Sequence, residues 1–545
     1  MPRWLPCLLM AAALSAEAQP GEPMIPFTVT ERDTLIGLSE TVLVSPEAWK
    51  EVAQLNRLRN ANRIRPGQTL QIPERLMRST PLPAKLVGAF GDVRVGGAPV
   101  QAGANLAQGE SVETGTNGSA VVEMADGSRF KLPPSSLAQV VASRTYGAPG
   151  VNQADASPSR GWFSGALRLI RGSVEVFATQ VLRAKPLELT TPTAVVGVRG
   201  TQYRVNFDEA ANASTRTEVL EGRVRLDTAS STQGADVKLG FGAIVDASAA
   251  APIVVPLLPA PDLSALPKRF ERPLVRFAVA GEANTLRWQV AADPAFENVV
   301  SDQLVAPGAE LRLAGLEDAT WHLRARRLDA RGIAGFDAAT SFVLKARPEP
   351  PGLSAPRSGA KQSVGPVQFA WSMNVEAQRT HLQVSKDAAF SSLLLERDDV
   401  IAASEQAVID APGTYFWRMA SIRASGDRGP FGDAQRFELR PLPEPPTGGA
   451  SADGKSLELR WSGRAEDRQQ VQLASDADFK QVVANAELAN PQWLLPAPTV
   501  GGTYFFRYRS IEPDGFVSPY SSALKIEVPQ DWRFLWLLLP LLFVL

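Results

Sequence analysis

Gln289-Val290-Ala291-Ala292-Asp293-Pro294-Ala295-Phe296 returns as Gln383-Val384-Ser385-Lys386-Asp387-Ala388-Ala389-Phe390, and again as Gln472-Leu473-Ala474-Ser475-Asp476-Ala477-Asp478-Phe479. A second segment recurs with it: TWHLRAR from Thr320, TYFWRMA from Thr414 and TYFFRYR from Thr503. Both are spaced by 94 and then 89 residues. A period near 90 built of short alternating runs predicts one β sandwich per repeat. Proline-rich joints at 348–351 and 441–446 separate the units, giving repeats over 265–346, 352–440 and 446–529. Trp371 and Trp461 follow alternating apolar residues and read as inward-facing aromatics of an early strand. The first repeat has Val279 there and needs another filler, for which Trp288 is the candidate. His322 aligns with Phe416 and Phe505, and His381 lies in the strand before Gln383, so both histidines read as structural. Arg507 and Arg509 around Tyr508 read as a solvated strand face, with partner binding as the alternative.

Outward from the repeats, the chain has 545 residues, 44% hydrophobic and 21% charged, with a net charge of −1. That length predicts several domains of ordinary globular composition. A charge near zero argues against a nucleic-acid partner, which selects a basic face. The one cysteine, Cys7, excludes a disulfide framework, and two histidines leave little for a zinc site or a Ser-His-Asp triad. No phosphate-cradling, nucleophile-elbow or zinc-protease motif occurs. The inventory points to a binding protein, not an enzyme, with no cofactor.

Residues 82–250 are short apolar runs punctuated by Gly96-Gly97, Asn117-Gly118 and Asp126-Gly127, which supply tight turns. Such units predict a β sandwich or a short β solenoid. The series L-V-G-x-x-G-D-V-R-V, L-x-L-I-R-G-S-V-E-V, TPTAVVGVRGTQYRV and VLEGRVRL resembles a FecR-type domain, the periplasmic part of transmembrane regulators. Those regulators carry a cytoplasmic segment and a membrane helix before the domain, and this chain carries something else there. The repeats after residue 265 are similar to fibronectin type III modules.

Residues 25–74 read differently. Phe27 and Val29 suggest a strand, and Asp33 or Thr34 offers an oxygen to cap a helix through about Val42. Ser45-Pro46 reads as a second helix start, and Pro66-Gly67 turns the chain into a closing strand, Thr69–Ile72. This β-α-α-β unit resembles a LysM module, on Asp33-Thr34-Leu35, Asn56, Asn60, Ile64, Pro66-Gly67-Gln68, Leu70 and Ile72-Pro73. It departs from the family at Arg32, where glycine is usual. The resemblance implies binding of peptidoglycan or other N-acetylglucosamine-containing glycan in a shallow groove. Asp33, Thr34 and Leu35 would form one wall, and Asn62, Arg63, Ile64 and Arg65 the other. On the residues alone, Leu35 and Ile64 read equally as core and Asp33 as a helix cap.

The ends read as addresses. Residues 1–18, with Arg3, an apolar stretch and Ala16-Glu17-Ala18, resemble a secretory signal peptide. Residues 532–545 are a hydrophobic tail too short for a full bilayer span, which needs about 20 residues. It reads as a short C-terminal membrane anchor, with a tail that packs on protein as the alternative. The fold class expected is therefore multidomain and mainly β: a small βααβ LysM module, a FecR-like β domain and three tandem immunoglobulin or fibronectin III-like sandwiches. The function expected is peptidoglycan binding in the periplasm or cell envelope, with the β domains docking to an envelope protein, sensing or scaffolding. The alternative is a periplasmic signal-transduction component of a FecR-type regulatory system.

Overall fold

The computed structural model describes residues 24–529 except 32, 62, 147–162, 181–182, 184, 199, 210–212, 230–232 and 452–453. The signal-like residues 1–18 and the tail 532–545 lie outside the described residues. The chain is mainly β and multidomain, and it divides into two compact units, one ending at Leu344 and the other starting at Lys345.

The first unit begins with strands Met24–Thr28 and Thr69–Pro73, paired antiparallel with Phe27 opposite Leu70. Between them run helices Leu35–Thr41 and Ala48–Leu55. Leu35, Leu38 and Val42 follow the helical repeat and turn inward, where they meet Ile25, Phe27, Val52, Leu70 and Ile72. Thr34 caps the first helix, its Oγ1 accepting the Gly37 N–H at 3.0 Å. The second helix starts later than Ser45-Pro46 suggests. Its N-cap is Glu47, which makes no side-chain cap, and Ser45 contributes only its carbonyl to the Ala48 N–H. Asn56 ends that helix and ties it to the closing strand. Its Nδ2 donates to the Val52 and Gln71 carbonyls, and its Oδ1 accepts the Gln71 N–H.

The next domain spans strands from Ser79–Pro81 to Ile253–Pro256. It is a sandwich whose two sheets share one long strand, Phe163–Phe177, so that pairing runs around a flattened, closed barrel. The first half of that strand pairs with Leu137–Tyr146 and Leu187–Thr190, and the second with Arg129–Leu132 and Gln202–Asp208. Gly172 sits at the changeover with φ +84°, and a Cβ there would lie 2.6 Å from the Ser135 carbonyl. Only glycine lets the strand cross between sheets at that point. Leu167, Leu169, Val174 and Val176 from this strand join Phe130, Val196, Tyr203 and Val219 in a single core.

The strands that follow form three successive pairs of sheets. A five-stranded sheet and the pair Val275–Phe277/Leu311–Leu313 complete the first unit. A three- and a five-stranded sheet, then a three- and a four-stranded sheet, make the second. Trp288 fills the first of these cores, edge-on to Phe277 at 5.2 Å between centroids. Phe369, Trp417 and Phe437 fill the second, and Trp461, Phe506 and Tyr508 the third. The recurring D-x-x-F is a stapled turn. Asp293 Oδ1 accepts the N–H of Ala295 and Glu297, and Oδ2 that of Asn298. Asp387 and Asp476 repeat these bonds at the same offsets. The turn forces Phe296, Phe390 and Phe479 into the left-handed region, at φ 54°, 57° and 58°.

Candidate functional site

In the LysM-like module, the loop after the first strand and the loop before the second are joined at their base. The Val29 N–H donates to the Gln68 carbonyl at 2.9 Å and the Gly67 N–H to the Val29 carbonyl at 2.8 Å. On the first loop, the Asp33 carboxylate is used locally, accepting the Thr30 N–H at 2.6 Å and Oγ1 at 2.8 Å. Thr34 is exposed, whereas Leu35 is 1% exposed and its side chain belongs to the core. On the second loop Ile64 is half-buried against the same core, and Arg63 and Arg65 are exposed. The loop is held by the Arg63 N–H on the Asn60 carbonyl and the Arg65 N–H on Gln68 Oε1, each at 3.1 Å. Asn62 lies outside the described residues. The two loops therefore offer Thr34, Arg63 and Arg65 to solvent, with Leu35 available only through its backbone. Ile36, 54% exposed on the first turn of the helix, adds an apolar surface beside them that the sequence reading passed over. The signal was present: with Leu35, Leu38 and Val42 inward, position 36 faces out. Hydroxyl and guanidinium donors beside an apolar face suit the hydroxyls, acetamido groups and flat faces of sugars.

This module is fixed to the next domain. Strand Ser79–Pro81 pairs with Arg144–Tyr146, and Tyr146 enters the module's own core. Its phenol donates to Glu74 Oε1, and Lys185 Nζ reaches Glu74 Oε2. Burial would raise the Glu74 pKa, but the bonds from Lys185 and Tyr146 outweigh it and hold the carboxyl below its usual range. Burial, reinforced by Glu74, pushes the Tyr146 phenol up.

A second joint links the FecR-like domain to the first sandwich. Arg204 Nη1 bonds Asp337 at 3.1 Å, and its Nη2 bonds the Gly335 carbonyl at 2.7 Å. Arg324 bonds Glu175 at 2.9 Å, and Arg287 bonds Asp302 at 2.8 Å and Ser173 Oγ at 2.7 Å. Ser119 Oγ donates to the Glu297 carbonyl and accepts the Val299 N–H. Ile244, Leu257 and Ile333 pack together in the same region, and the partly open cavity lined by Glu175, Arg204, Arg287 and Arg324 is only about 30 Å³. Burial pushes Arg326 down to about 9 although Asp337 opposes it. Burial would raise Asp337, but Arg326, Arg204 and Arg324 prevail and hold it at about 2.

The two histidines sit on strands. His381 is buried between Glu396, 2.9 Å from Nε2, and Arg428, against the Phe431 ring. His322 lies opposite Ala291 and Ser341. Among the described residues no group of His, Cys, Asp and Glu is arranged to hold a metal ion, and no helix is long and apolar enough to cross a membrane. Arg507 is not simply solvated: it is stacked between Phe479 and Tyr520, at 3.9 and 4.0 Å from the ring centroids.

Fold and loops together define a mainly β multidomain chain with a small two-helix module of LysM geometry. Residues 27–73 match the family model of the LysM domain, and residues 110–225 that of the FecR protein. Comparison with curated proteins returns no match. Among solved structures, a Parabacteroides distasonis protein described as an anti-sigma factor aligns at 15% identity and TM-score 0.21, over 27% of this chain and 59% of that one. The fibronectin(III)-like modules of Clostridium thermocellum CbhA align at 14% identity and TM-score 0.20, over 33% of this chain and 94% of theirs. The chicken CNTN1 FN1-FN3 domains align at 11% identity and TM-score 0.20, over 45% and 90%.

Proposed function

We propose that this is an exported cell-envelope protein that holds peptidoglycan through residues 25–74. The observation that carries the proposal is the LysM match together with two loops, joined at their base, that leave Thr34, Ile36, Arg63 and Arg65 exposed. Asp33 shapes the first loop, and Leu35 and Ile64 support the groove from below. The FecR-like domain, taken as 82–250, and the sandwiches at 265–346, 352–440 and 446–529 dock, sense or scaffold in the periplasm. Residues 1–18 direct export, and residues 532–545 touch a membrane. The test is sedimentation of the full chain with purified sacculi. The protein should pellet with them, and Arg63→Glu with Arg65→Glu should release it while leaving the melting profile unchanged. A full chain that stays in the supernatant refutes the proposal.

The FecR match over 110–225 favours a second reading, relay of an envelope signal to an inner-membrane partner. Deleting the gene would then change transcription of a defined set of genes. Unaltered transcription would dismiss it.

A further inference from the structure

The face of the first sandwich that meets the FecR-like domain is built again, with altered charge, 183 residues later in the chain. In the first sandwich Arg324 lies 4.5 Å over the Phe296 ring, bonds Gln289 at 2.7 Å and reaches across to Glu175 of the FecR-like sheet at 2.9 Å. Gln289, Phe296, Arg324 and Arg326 correspond to Gln472, Phe479, Arg507 and Arg509. The last sandwich keeps the geometry: Arg507 lies 3.9 Å over Phe479 and bonds Gln472 at 2.7 and 2.9 Å. Its acids, however, are gone. Asp302 becomes Asn485, and Asp337, which holds Arg204 and faces Arg326, becomes Tyr520.

What replaces them is aromatic. Tyr520 closes the other side of Arg507 and lies 4.7 Å from Arg509, which bonds Gln470 Oε1 at 2.6 Å. Other charged groups on the same sheet face are already paired, Arg468 with Glu487 at 3.3 Å and Lys525 with Glu527 at 2.8 Å. Arg507 and Arg509 have no carboxylate partner among the described residues. Two oriented guanidinium groups framed by Phe479 and Tyr520, with Val483 51% exposed nearby, have the composition of an interface hot spot.

We infer that this face of the last sandwich docks a protein partner whose β-sheet surface presents carboxylates, in the way Glu175 is presented to Arg324. The inference gives the docking part of the proposed function a surface and a partner chemistry, and it stands or falls separately from glycan binding. A bound carboxylate supplies the charge that Asp302 and Asp337 supply in the first sandwich. Charge-assisted bonds to a pre-stacked arginine cost little side-chain ordering.

The experiment places a photo-crosslinking residue at Val483 of the full chain in its own cells, identifies the adduct, and measures binding of the purified pair. The expected adduct maps to a sheet face of a second protein rich in Asp and Glu. Arg507→Glu and Arg509→Glu should each weaken binding at least tenfold, Arg507→Lys should weaken it less, and added salt should weaken it further. Arg507 also holds Phe479 and Tyr520 in place, so Arg509→Glu at the rim carries the test if Arg507→Glu misfolds. No adduct, an adduct to a second copy of this chain or to a basic surface, or binding indifferent to Arg509→Glu would overturn the inference. Loss of sedimentation with sacculi would not touch it.

Discussion

Asp337→Asn removes the carboxylate on which the joint between the FecR-like domain and the first sandwich depends. Its side chain is 22% exposed and lies 3.1 Å from Arg204 and 3.3 Å from Arg326. Its pKa of about 2, against 3.8 ordinarily, corresponds to roughly 2–3 kcal/mol of favourable interaction with the charged form. Because the folded value is depressed, this stabilisation is complete above pH about 4 and disappears as pH falls through about 2. Asparagine keeps the shape but leaves Arg326 buried without its carboxylate and Arg204 with Glu218 alone, at 3.7 Å, so the cost at pH 7 should reach about 3–5 kcal/mol. Calorimetry should show a lower transition for the unit ending at Leu344, while the transition of the unit from Lys345 holds still. The companion variant Asp337→Asn/Arg326→Met removes both charges and should recover part of the loss, since a buried pair replaced by apolar groups is nearly neutral. A shift below about 1 kcal/mol, or a double variant as costly as the two singles summed, would refute an interface held by these charges.

Glu74→Gln should loosen the contact between the LysM-like module and its neighbour, read as faster amide exchange in Arg144–Tyr146. Glu74's depressed pKa predicts the same loosening in the wild type as pH falls below its ordinary 4.5, and none above it. Thr34→Ala deletes the cap on Gly37 and should cost about 1 kcal/mol in thermal unfolding while sedimentation with sacculi weakens at most modestly. Gly118→Ala would set a Cβ 2.2 Å from the Asp92 carbonyl oxygen, a backbone clash that should cost about 1–3 kcal/mol in denaturant unfolding.

Strand alternation and the spaced turns carried the mainly β reading, because both are local properties. The recurring D-x-x-F was visible as a motif, yet its cause is the carboxylate staple that holds Phe296, Phe390 and Phe479 at positive φ. The arginine stacked on each of those rings has no signature within its own strand. Gln289 and Arg324, Gln383 and Arg418, and Gln472 and Arg507 bond across adjacent strands at a constant separation of 35 residues. That constancy is legible in the sequence once strand pairing is considered, and a scan for motifs within single strands passes over it. The charged joint around Asp337 had no such signature. Arg204 and Asp337 are 133 residues apart in different domains, so only the folded chain brings them together. In the LysM-like module, helical periodicity separates inward Leu35 from outward Ile36, and the family pattern names only the first of that pair.

The two joints of the first unit bear on how the chain would work. Tyr146 sits in the core of the LysM-like module while its strand belongs to the next domain, so the module cannot reorient against that domain without withdrawing an aromatic ring. Removing a buried aromatic side chain costs about 3–5 kcal/mol. The FecR-like domain is likewise held to the first sandwich by Arg204, Arg287 and Arg324, which bond across or beside that interface around a cavity of only about 30 Å³. From the loops at 29–34 to the strand ending at Leu344, then, each module is tied to the next by packed or ion-paired side chains. A module bound to murein would fix the FecR-like domain at a set distance and angle from it. The sheet face that repeats this joint in the last sandwich lacks the acids that close it in the first, and the chemistry left open there is that of a carboxylate supplied by another protein.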